Sequence, residues 1–181
     1  EGLVETRKGT TGGSFVTRPS VGLVGAFLER SMHLLSDSDV VSLDALLETR
    51  RILEVPAARL AAERRADVDV ERLAAAARPE TTRLPVDEQF ERNRDFHVAI
   101  CESCGNALLA LAAQPIFAVL QTRLARAGLG PQFHRQLNDQ HRLIADAIGD
   151  ADTGRAADEM ETHLEWLAPY YRRAWTTRTA R

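Results

Sequence analysis

The sequence predicts an all-α fold, an antiparallel bundle of six to seven helices that follows a β-hairpin. Three observations lead to this prediction. After Val40, Ala, Leu, Arg and Glu dominate while Val and Ile are sparse, and that composition favours helix. Apolar residues there recur at helical spacing, and the short loops between helical segments are typical of antiparallel neighbours. Before Val40, a glycine-rich turn separates two short apolar segments, which indicates a β-hairpin.

The hairpin is predicted over residues 1–19. Apolar residues at 3–4 and 15–16 flank a turn at 8–13, whose glycines allow positive φ angles. A single hairpin is only marginally stable by itself. We therefore expect it to belong to a domain that precedes residue 1, and we expect residues 20–39 to be a connector that contains a short helix.

Residues 40–181 are predicted to form the helical domain. Ser42 is expected to cap its first helix, because a serine side chain accepts a hydrogen bond from the first-turn backbone, and Asp67 is expected to cap the second. Pro56 and Pro115 are expected to bend the first and the fourth helix. The predicted helices cover residues 43–65, 67–77, 86–102, 106–127, 132–148 and 153–175, after a leading helix at 21–35.

Composition and charge exclude several classes of protein. The 181 residues suffice for one domain with its own core, and an apolar content of 44% argues against disorder. The net charge is −3 and no basic run occurs, so the helical body is not expected to bind nucleic acid. No apolar run is long enough to cross a membrane, and no signal peptide opens the chain, whose start resembles the middle of a protein. We expect no membrane partner and a cytoplasmic location.

Two cysteines, Cys101 and Cys104, have C-x-x-C spacing. A zinc ribbon would need a second such pair, and a thioredoxin-like motif would need a strand where a helix is predicted. A redox or partial zinc role stays open. The more ordinary interpretation is two small, reduced residues one turn apart near the end of a helix.

Three histidines, His97, His141 and His163, lie on three separate predicted helices, each beside the apolar stripe of its helix. In an antiparallel bundle all three rings can therefore point inward. A single histidine in such a position usually only packs in the core, but three in similar positions suggest a metal site. His33 and His134, in the connector and near a helix start, are expected to face solvent.

Asn93 and Arg50 complete the candidate site. Asn93 lies four residues before His97 on the same helical face, so it is the candidate fourth ligand, although an amide oxygen is a weaker ligand than a carboxylate. Arg50 is the candidate for binding an anion. It either remains solvated or leans into the bundle and pairs with a carboxylate, whereas Arg51 is the more exposed neighbour by helical phase.

The residues give little support for an enzyme. Ferritin-like di-iron bundles use Glu-x-x-His motifs, whereas Glu159 and Glu161 lie four and two residues before His163. No His-Glu-x-x-His motif, serine-triad order or Gly-rich phosphate loop stands out. A stand-alone helical-bundle metal enzyme and a dimerisation module with packed histidines stay open as alternatives to a ligand-sensing domain.

Several segments, taken in order, resemble GntR-type transcriptional regulators of the FadR branch. Residues 1–16, EGLVETRKGTTGGSFV, resemble the wing of their winged helix-turn-helix domain. The segments that resemble their all-helical effector-binding domain, the FCD domain, are LLETRRILE at 46–54, AARLAA at 57–62, Phe96-His97, GNALL at 105–109, His141-Arg142 and His163-Leu164. The histidine spacings of 44 and 22 residues also suit it, and the resemblance covers nearly the whole chain.

The resemblance implies a ligand-responsive bacterial regulator that binds operator DNA as a homodimer through its N-terminal domain. Many members hold a divalent metal ion by an Asp and three histidines, and the metal helps to bind a small organic acid. His97, His141 and His163 match those histidines, and Asn93 stands at the Asp position. That departure leaves one more positive charge for an anionic effector to neutralise. Zinc or nickel is the expected metal.

The resemblance also assigns roles outside the metal site. The expected effector is a small carboxylate held by the metal and by Arg50. Arg7 and Lys8 of the wing are expected to approach DNA phosphate or the minor groove, where their charge would contribute affinity but little sequence information. The connector helix at 21–35 is expected to transmit effector binding to the DNA-binding domain.

Overall fold

Seven helices follow a two-stranded hairpin in the part of the chain that the structure describes. The structure is a computed structural model that describes residues 4–10, 12–18, 20–37, 40–78, 85–124 and 129–179. In chain order its elements are β1 Val4–Arg7, β2 Gly13–Val16, α1 Val21–Asp37, α2 Leu43–Arg64, α3 Asp67–Ala77, α4 Val86–Ser103, α5 Ala107–Leu124, α6 Pro131–Gly149 and α7 Thr153–Thr179. The predicted fold class is confirmed. The predicted loop at 79–84 and the predicted helix end at 125–127 lie outside the described residues.

β1 and β2 pair antiparallel, with Val4 opposite Val16 and Glu5 opposite Phe15. The turn between them depends on glycine, because Gly9 has a φ of 124°, which residues with a side chain rarely adopt. All residues of both strands are exposed, so the hairpin adds nothing to the core.

α2 is the central helix of the bundle and contacts α4, α5, α6 and α7. Ser42 caps it as predicted, because its hydroxyl oxygen accepts a hydrogen bond of 3.1 Å from the backbone N–H of Ala45. Pro56 lies inside α2 and Pro115 inside α5, and both helices continue beyond them. Small side chains let the neighbouring helices approach α2 closely; its fully buried alanines are Ala57, Ala58, Ala61 and Ala62.

One predicted helix cap is wrong. Asp67 is the first residue of α3 rather than its cap, and the cap position belongs to Ala66. Ala66 has extended backbone angles of φ −104° and ψ 152°, so the chain has already entered the helix at Asp67. The predicted start of α5 agrees with the structure, since the side-chain oxygen of Asn106 accepts hydrogen bonds from the backbone N–H groups of Leu108 and Leu109.

Two clusters of buried apolar side chains form the core. The larger one includes Phe96 of α4, Phe117 of α5 and Ile144 of α6, and the smaller one includes Leu46 of α2 and Tyr171 of α7. α5 contacts α1, α2, α4 and α7 and is therefore covered on several sides. No helix among the described residues is both long and apolar enough to span a membrane.

Candidate metal centre

Three histidine side chains meet inside the bundle. His97 comes from α4, His141 from α6 and His163 from α7, and their exposed fractions are 1%, 3% and 0%. One ring nitrogen of each lies within 4.8 Å of those of the other two. The sequence pattern that placed each histidine beside the apolar stripe of its helix is the reason that the rings converge.

Ring stacking holds all three histidine rings in place. Phe96 stacks on His141, with ring centroids 4.0 Å apart and an angle of 16° between the planes. The rings of His97 and His163 are also stacked, at 5.1 Å and 25°. Because these contacts restrict ring rotation, the nitrogen atoms have defined directions.

The Nε2 atoms of His97 and His163 lie only 3.2 Å apart. The other nitrogen of each ring faces an oxygen: Nδ1 of His163 is 2.9 Å from Oε1 of Gln140, and Nδ1 of His97 is 2.6 Å from Oε2 of Glu54. An oxygen of a carboxylate or amide accepts, so these contacts favour the tautomers with the proton on Nδ1 and a lone pair on Nε2. In those tautomers the two Nε2 lone pairs face each other at 3.2 Å and repel unless a cation lies between them.

The contact between His97 and Glu54 is close but not well directed. Neither Nδ1 of His97 nor Oε2 of Glu54 has a hydrogen bond of good geometry, although the two atoms are 2.6 Å apart. The 2.6 Å separation of the two atoms indicates a hydrogen bond in spite of its poor direction, because a buried nitrogen and oxygen this close must have a proton between them.

Burial keeps the histidine rings neutral. It lowers the pKa of His141 and of His163 well below the ordinary value, and repulsion from the neighbouring histidines and from Arg50 adds to the effect. Burial also lowers the pKa of His97, and Arg50 repels its protonated form, although Glu54 acts in the opposite direction. A neutral imidazole is the form that ligates metals.

Two further buried atoms near this cluster have no hydrogen-bond partner among the described residues. They are Nε2 of His141 and Oδ1 of Asn93, four residues before His97 on α4. A buried polar atom without a partner costs free energy, so its presence calls for an explanation. Nitrogen and oxygen donors of this kind are ligands of Zn²⁺ and Ni²⁺. The residues present therefore fit a divalent cation.

Arg50 lies inside the bundle rather than in solvent, with an exposed fraction of 3%. Its Nε donates to Oε1 of Glu54, and its Nη1 donates to the hydroxyl of Tyr171 at 3.0 Å. Burial alone would raise the pKa of Glu54, but attraction to Arg50 and His97 outweighs it and the net pKa lies below the ordinary value. A line of polar contacts therefore runs from Tyr171 through Arg50 and Glu54 to His97.

Arg50 also borders a surface cavity between α2 and α7. The cavity has a volume of about 480 Å³, and its wall includes Arg51, Arg172, Glu48 and Leu164. The histidines are absent from its described lining. Arg50 thus lies between an opening at the surface and the buried polar line that ends at the histidines.

The family model of the FCD domain matches residues 45–165. The chain belongs to the FCD domain family. The matched segment of this FCD domain contains Arg50, Asn93 and the three clustered histidines, so the candidate centre lies wholly inside it.

Two relatives of this FCD chain are named as regulators. The chain is 31% identical over 174 residues to a protein of Escherichia coli strain K12 named as a regulatory protein of the L-lactate dehydrogenase operon, covering 92% of this chain but 65% of that protein. It is 27% identical over 170 residues to the HTH-type transcriptional regulator LutR of Bacillus subtilis strain 168, covering 90% of this chain and 74% of LutR. These names are those of transcriptional regulators rather than enzymes, in agreement with the prediction that the chain is not an enzyme.

Solved structures share the fold of this FCD chain. McbR/YncC of E. coli has a TM-score of 0.62 at 15% identity, over 86% of this chain and 99% of that one. A GntR protein of Streptococcus agalactiae has a TM-score of 0.56 at 19% identity, over 93% of this chain and 75% of that one. At these identities the similarity supports the all-helical fold alone.

Other residues singled out from the sequence lie away from the centre of the FCD domain. Arg7 and Lys8 are exposed on the hairpin, where Arg7 pairs with Glu5 at 3.3 Å. His33 was expected to face solvent but is half-buried on α1, so that expectation is wrong in part. The expectation that His134 faces solvent is wrong in part, because its ring is half-buried and packs edge-on against Phe90 and Phe133.

Three more residues also lie outside the candidate metal centre: Cys101, Cys104 and Asp95. Cys101 and Cys104 are free thiols, both buried. Burial raises the pKa of Cys101 well above its ordinary value, so the thiol stays protonated at neutral pH. Asp95 points away from the histidines and pairs with Arg94 at 2.8 Å.

The sequence alone predicts no role for Glu54, Gln140 or Tyr171. A signal existed for Glu54, since it lies four residues after Arg50, the spacing at which an acid and a base pair on one helical face. Nothing in the sequence pairs Gln140 with His163 or Tyr171 with Arg50, because these contacts depend on how α6 and α7 pack against their neighbours.

Proposed function

We propose that this chain is the effector-sensing part of a bacterial transcriptional regulator of the GntR type, in its FadR branch. The helical domain at 40–181 binds a divalent metal ion and a small organic acid, and it controls operator binding by an N-terminal winged helix-turn-helix domain whose wing is the hairpin at 1–19. The FCD family and the names of the two relatives support this proposal. An exposed hairpin that adds nothing to the helical core also suits a wing.

The observation that carries the metal site is the 3.2 Å separation of the Nε2 atoms of His97 and His163. Two nitrogens bound to one Zn²⁺ at about 2.0–2.1 Å are roughly 3 Å apart at a right angle and about 3.4 Å apart at a tetrahedral angle. The spacing of the two atoms lies between these values. His141 and Asn93 offer two more unpaired donors, and zinc or nickel suits a set of three imidazoles and an amide.

The charge of this donor set indicates an anionic effector. Three neutral imidazoles and the Asn93 amide leave both positive charges of the ion uncompensated, and Arg50 and Glu54 cancel each other. A buried net charge is costly, so a carboxylate bound beside the ion would be favoured. The name of the E. coli relative refers to L-lactate dehydrogenase, which makes lactate and other small hydroxy acids the first compounds to test. Arg50, at the edge of the cavity, is in place to assist.

Elemental analysis tests the metal site. The wild-type chain, purified with Zn²⁺ or Ni²⁺ and freed of excess ion, should retain about one ion per chain, as a three-histidine site predicts. His141→Ala should remove most of it. His134→Ala is the matched control, since that ring is half-buried outside the cluster and its loss should leave the metal content unchanged. Equal metal content in the wild type and in His141→Ala would refute the site.

A thermal-shift screen of mono-, di- and tricarboxylates on the metal-loaded protein tests the effector. A true ligand stabilises the folded state by about 2.7 kcal/mol at a hundredfold excess over Kd. Arg50→Lys keeps the charge but loses the forked donor geometry, so the response to the best compound should fall. Arg59→Lys is the control, because Arg59 is exposed on α2 and is not in the described lining of the cavity. A response that is the same in both variants would exclude Arg50 from recognition.

DNA contact is assigned to the N-terminal domain. Arg7 and Lys8 lie on the exposed hairpin and would approach DNA phosphate or the minor groove, so their charge would add affinity that falls with salt and is insensitive to sequence. In the complete regulator, replacing both with Ala should reduce the salt dependence of DNA binding by a slope of about 2, with specificity unchanged. Loss of specificity with an unchanged slope would contradict this role.

A further inference from the structure

Glu54 is fully buried, with an exposed fraction of 0%, and its two oxygens serve two different partners. Oε1 accepts from Nε of Arg50. Oε2 lies 2.6 Å from Nδ1 of His97. Glu54 therefore joins α2 to the histidine that α4 contributes to the candidate centre.

We propose that Glu54 is the positioning residue of the metal centre. Its carboxylate holds the proton of His97 on Nδ1, so that Nε2 presents its lone pair to the cation, and it places the negative end of the Arg50–Glu54 pair beside a donor set that Asn93 leaves neutral. This inference rests on the proposed function, because it assigns a role toward the ion that the histidines would hold.

The geometry argues against a purely structural ion pair. An arginine and a carboxylate that only stabilise each other frequently form two parallel hydrogen bonds, with both oxygens on one guanidinium. Here Arg50 uses its second donor for Tyr171, and Glu54 directs its second oxygen to His97. Arg50 thereby fixes the position of the carboxylate, and the carboxylate fixes the ring.

The negative charge of Glu54 makes its contact with His97 important. A histidine bound to a metal usually donates its other ring N–H to an oxygen, and a carboxylate in that place makes the ring a stronger ligand. His163 receives only the neutral oxygen of Gln140. Among the described contacts of the three rings, Glu54 is the one that carries negative charge.

Two measurements on Glu54→Gln test the proposal. The first is the tautomer of His97 by ¹⁵N NMR in the metal-free protein, where the introduced amide can donate to Nδ1 and the ring proton should shift toward Nε2. The second is the affinity for Zn²⁺ by competition with a chelator, which should fall by about 10- to 100-fold. A structural role alone would not move the tautomer.

Glu161→Gln is the matched control. Glu161 also pairs with an arginine of α2, Arg51, but that pair is partly exposed and makes no described contact with a histidine. The control should leave both the tautomer and the metal affinity as in the wild type. Adding Asn93→Asp to Glu54→Gln should restore part of the metal affinity, because it returns a carboxylate, but should leave the tautomer shifted.

The outcomes separate this inference from the proposed function. A wild type that binds neither Zn²⁺ nor Ni²⁺ refutes the proposed function, while the tautomer in metal-free protein still decides whether Glu54 positions His97. A folded Glu54→Gln that matches the control in either measurement overturns the positioning role. If Glu54→Gln does not fold because Arg50 is left unpaired, the double variant Arg50→Met/Glu54→Gln removes both charges, and the same two results are required of it.

Discussion

Among the candidate ligands, Asn93 is the residue whose substitution changes the net charge of the candidate centre most directly. Its Oδ1 is buried without a partner among the described residues, so a carboxylate oxygen in its place would meet no competing hydrogen bond. We predict that Asn93→Asp raises the affinity for Zn²⁺ by on the order of tenfold or more, since opposite charges attract strongly where water is excluded. Competition with a chelator measures the change.

Asn106→Asp is the control for that prediction. Asn106 is exposed at the start of α5, where an aspartate also caps a helix well, so the new charge should not alter metal affinity. A weaker or unchanged affinity in Asn93→Asp would mean that the side chain at this position does not face the ion.

The two thiols are predicted to be inert in the folded protein. Cys101 and Cys104 are 1% and 0% exposed, and burial raises the pKa of Cys101, which removes the reactive thiolate at neutral pH. Cys104 is further held by a weak hydrogen bond to the carbonyl of Asn106. A disulfide-exchange reagent should react negligibly with native protein and should find both thiols after unfolding in guanidinium. Rapid reaction in the native state would contradict this prediction and would support a redox role for the two cysteines.

At the scale of residues, the sequence predicts the convergence of the three histidines better than it predicts the groups that contact their rings. Each clustered histidine interrupts an apolar stripe, and that pattern depends only on its own helix. The partners of His97 and His163 come from α2 and from the neighbouring turn of α6. Which acid or amide reaches which ring depends on how two helices cross, and one helix's periodicity does not contain that information.

At the scale of elements, the stability of α2 depends on its first turn. The hydroxyl of Ser42 accepts the hydrogen bond from Ala45, so Ser42→Ala leaves that N–H without a side-chain partner. We predict a loss of about 1 kcal/mol in the free energy of unfolding, which for a chain of this size lowers Tm by roughly 2–4 °C. Chemical denaturation and calorimetry measure it.

Ser31→Ala is the matched control for the cap. Ser31 lies inside α1, where its hydroxyl donates to the carbonyl of Phe27, a bond that does not replace a missing backbone partner. Its removal should change stability by less than about 0.5 kcal/mol. Equal effects of the two substitutions would show that the cap does not stabilise α2.

The elements themselves followed closely from the sequence, because helical periodicity and caps are local signals. Ser42 and Asn106 marked two helix starts correctly. Asp67 was wrongly predicted to be a cap, because an aspartate is equally favourable in the first turn of a helix. Only the extended backbone of Ala66 distinguishes the two positions. The prolines did not end their helices, since α2 continues past Pro56 and α5 past Pro115.

At the scale of the whole molecule, we predict a two-fold homodimer. Regulators with paired winged helices read two half-sites, and the symmetry of the protein mirrors that of the operator. Sedimentation equilibrium in the micromolar range should give twice the mass of one chain, with or without metal. A single species with the mass of one chain would contradict the dimer. It would also leave no second copy relative to which α1 could move to transmit effector binding.

The arrangement of the whole chain could be predicted as a hairpin followed by a bundle, since both signals are local and widely separated. The order in which helices pack could not, and the central position of α2 in contact with four other helices is a result of the structure. Its row of buried alanines indicated a helix but did not show that its neighbours approach on several sides.

The three clustered histidines stand 44 and 22 residues apart in the chain, on α4, α6 and α7. A cation held by all three rings would act as a removable cross-link between distant segments, and it would stabilise the folded state because the unfolded chain has no preformed site for it. Without it, the bundle would open more often and meet cellular proteases sooner. The abundance of the protein in the cell would then follow metal supply, so a metabolite-sensing regulator of the kind proposed would also lose its influence whenever the metal ran short.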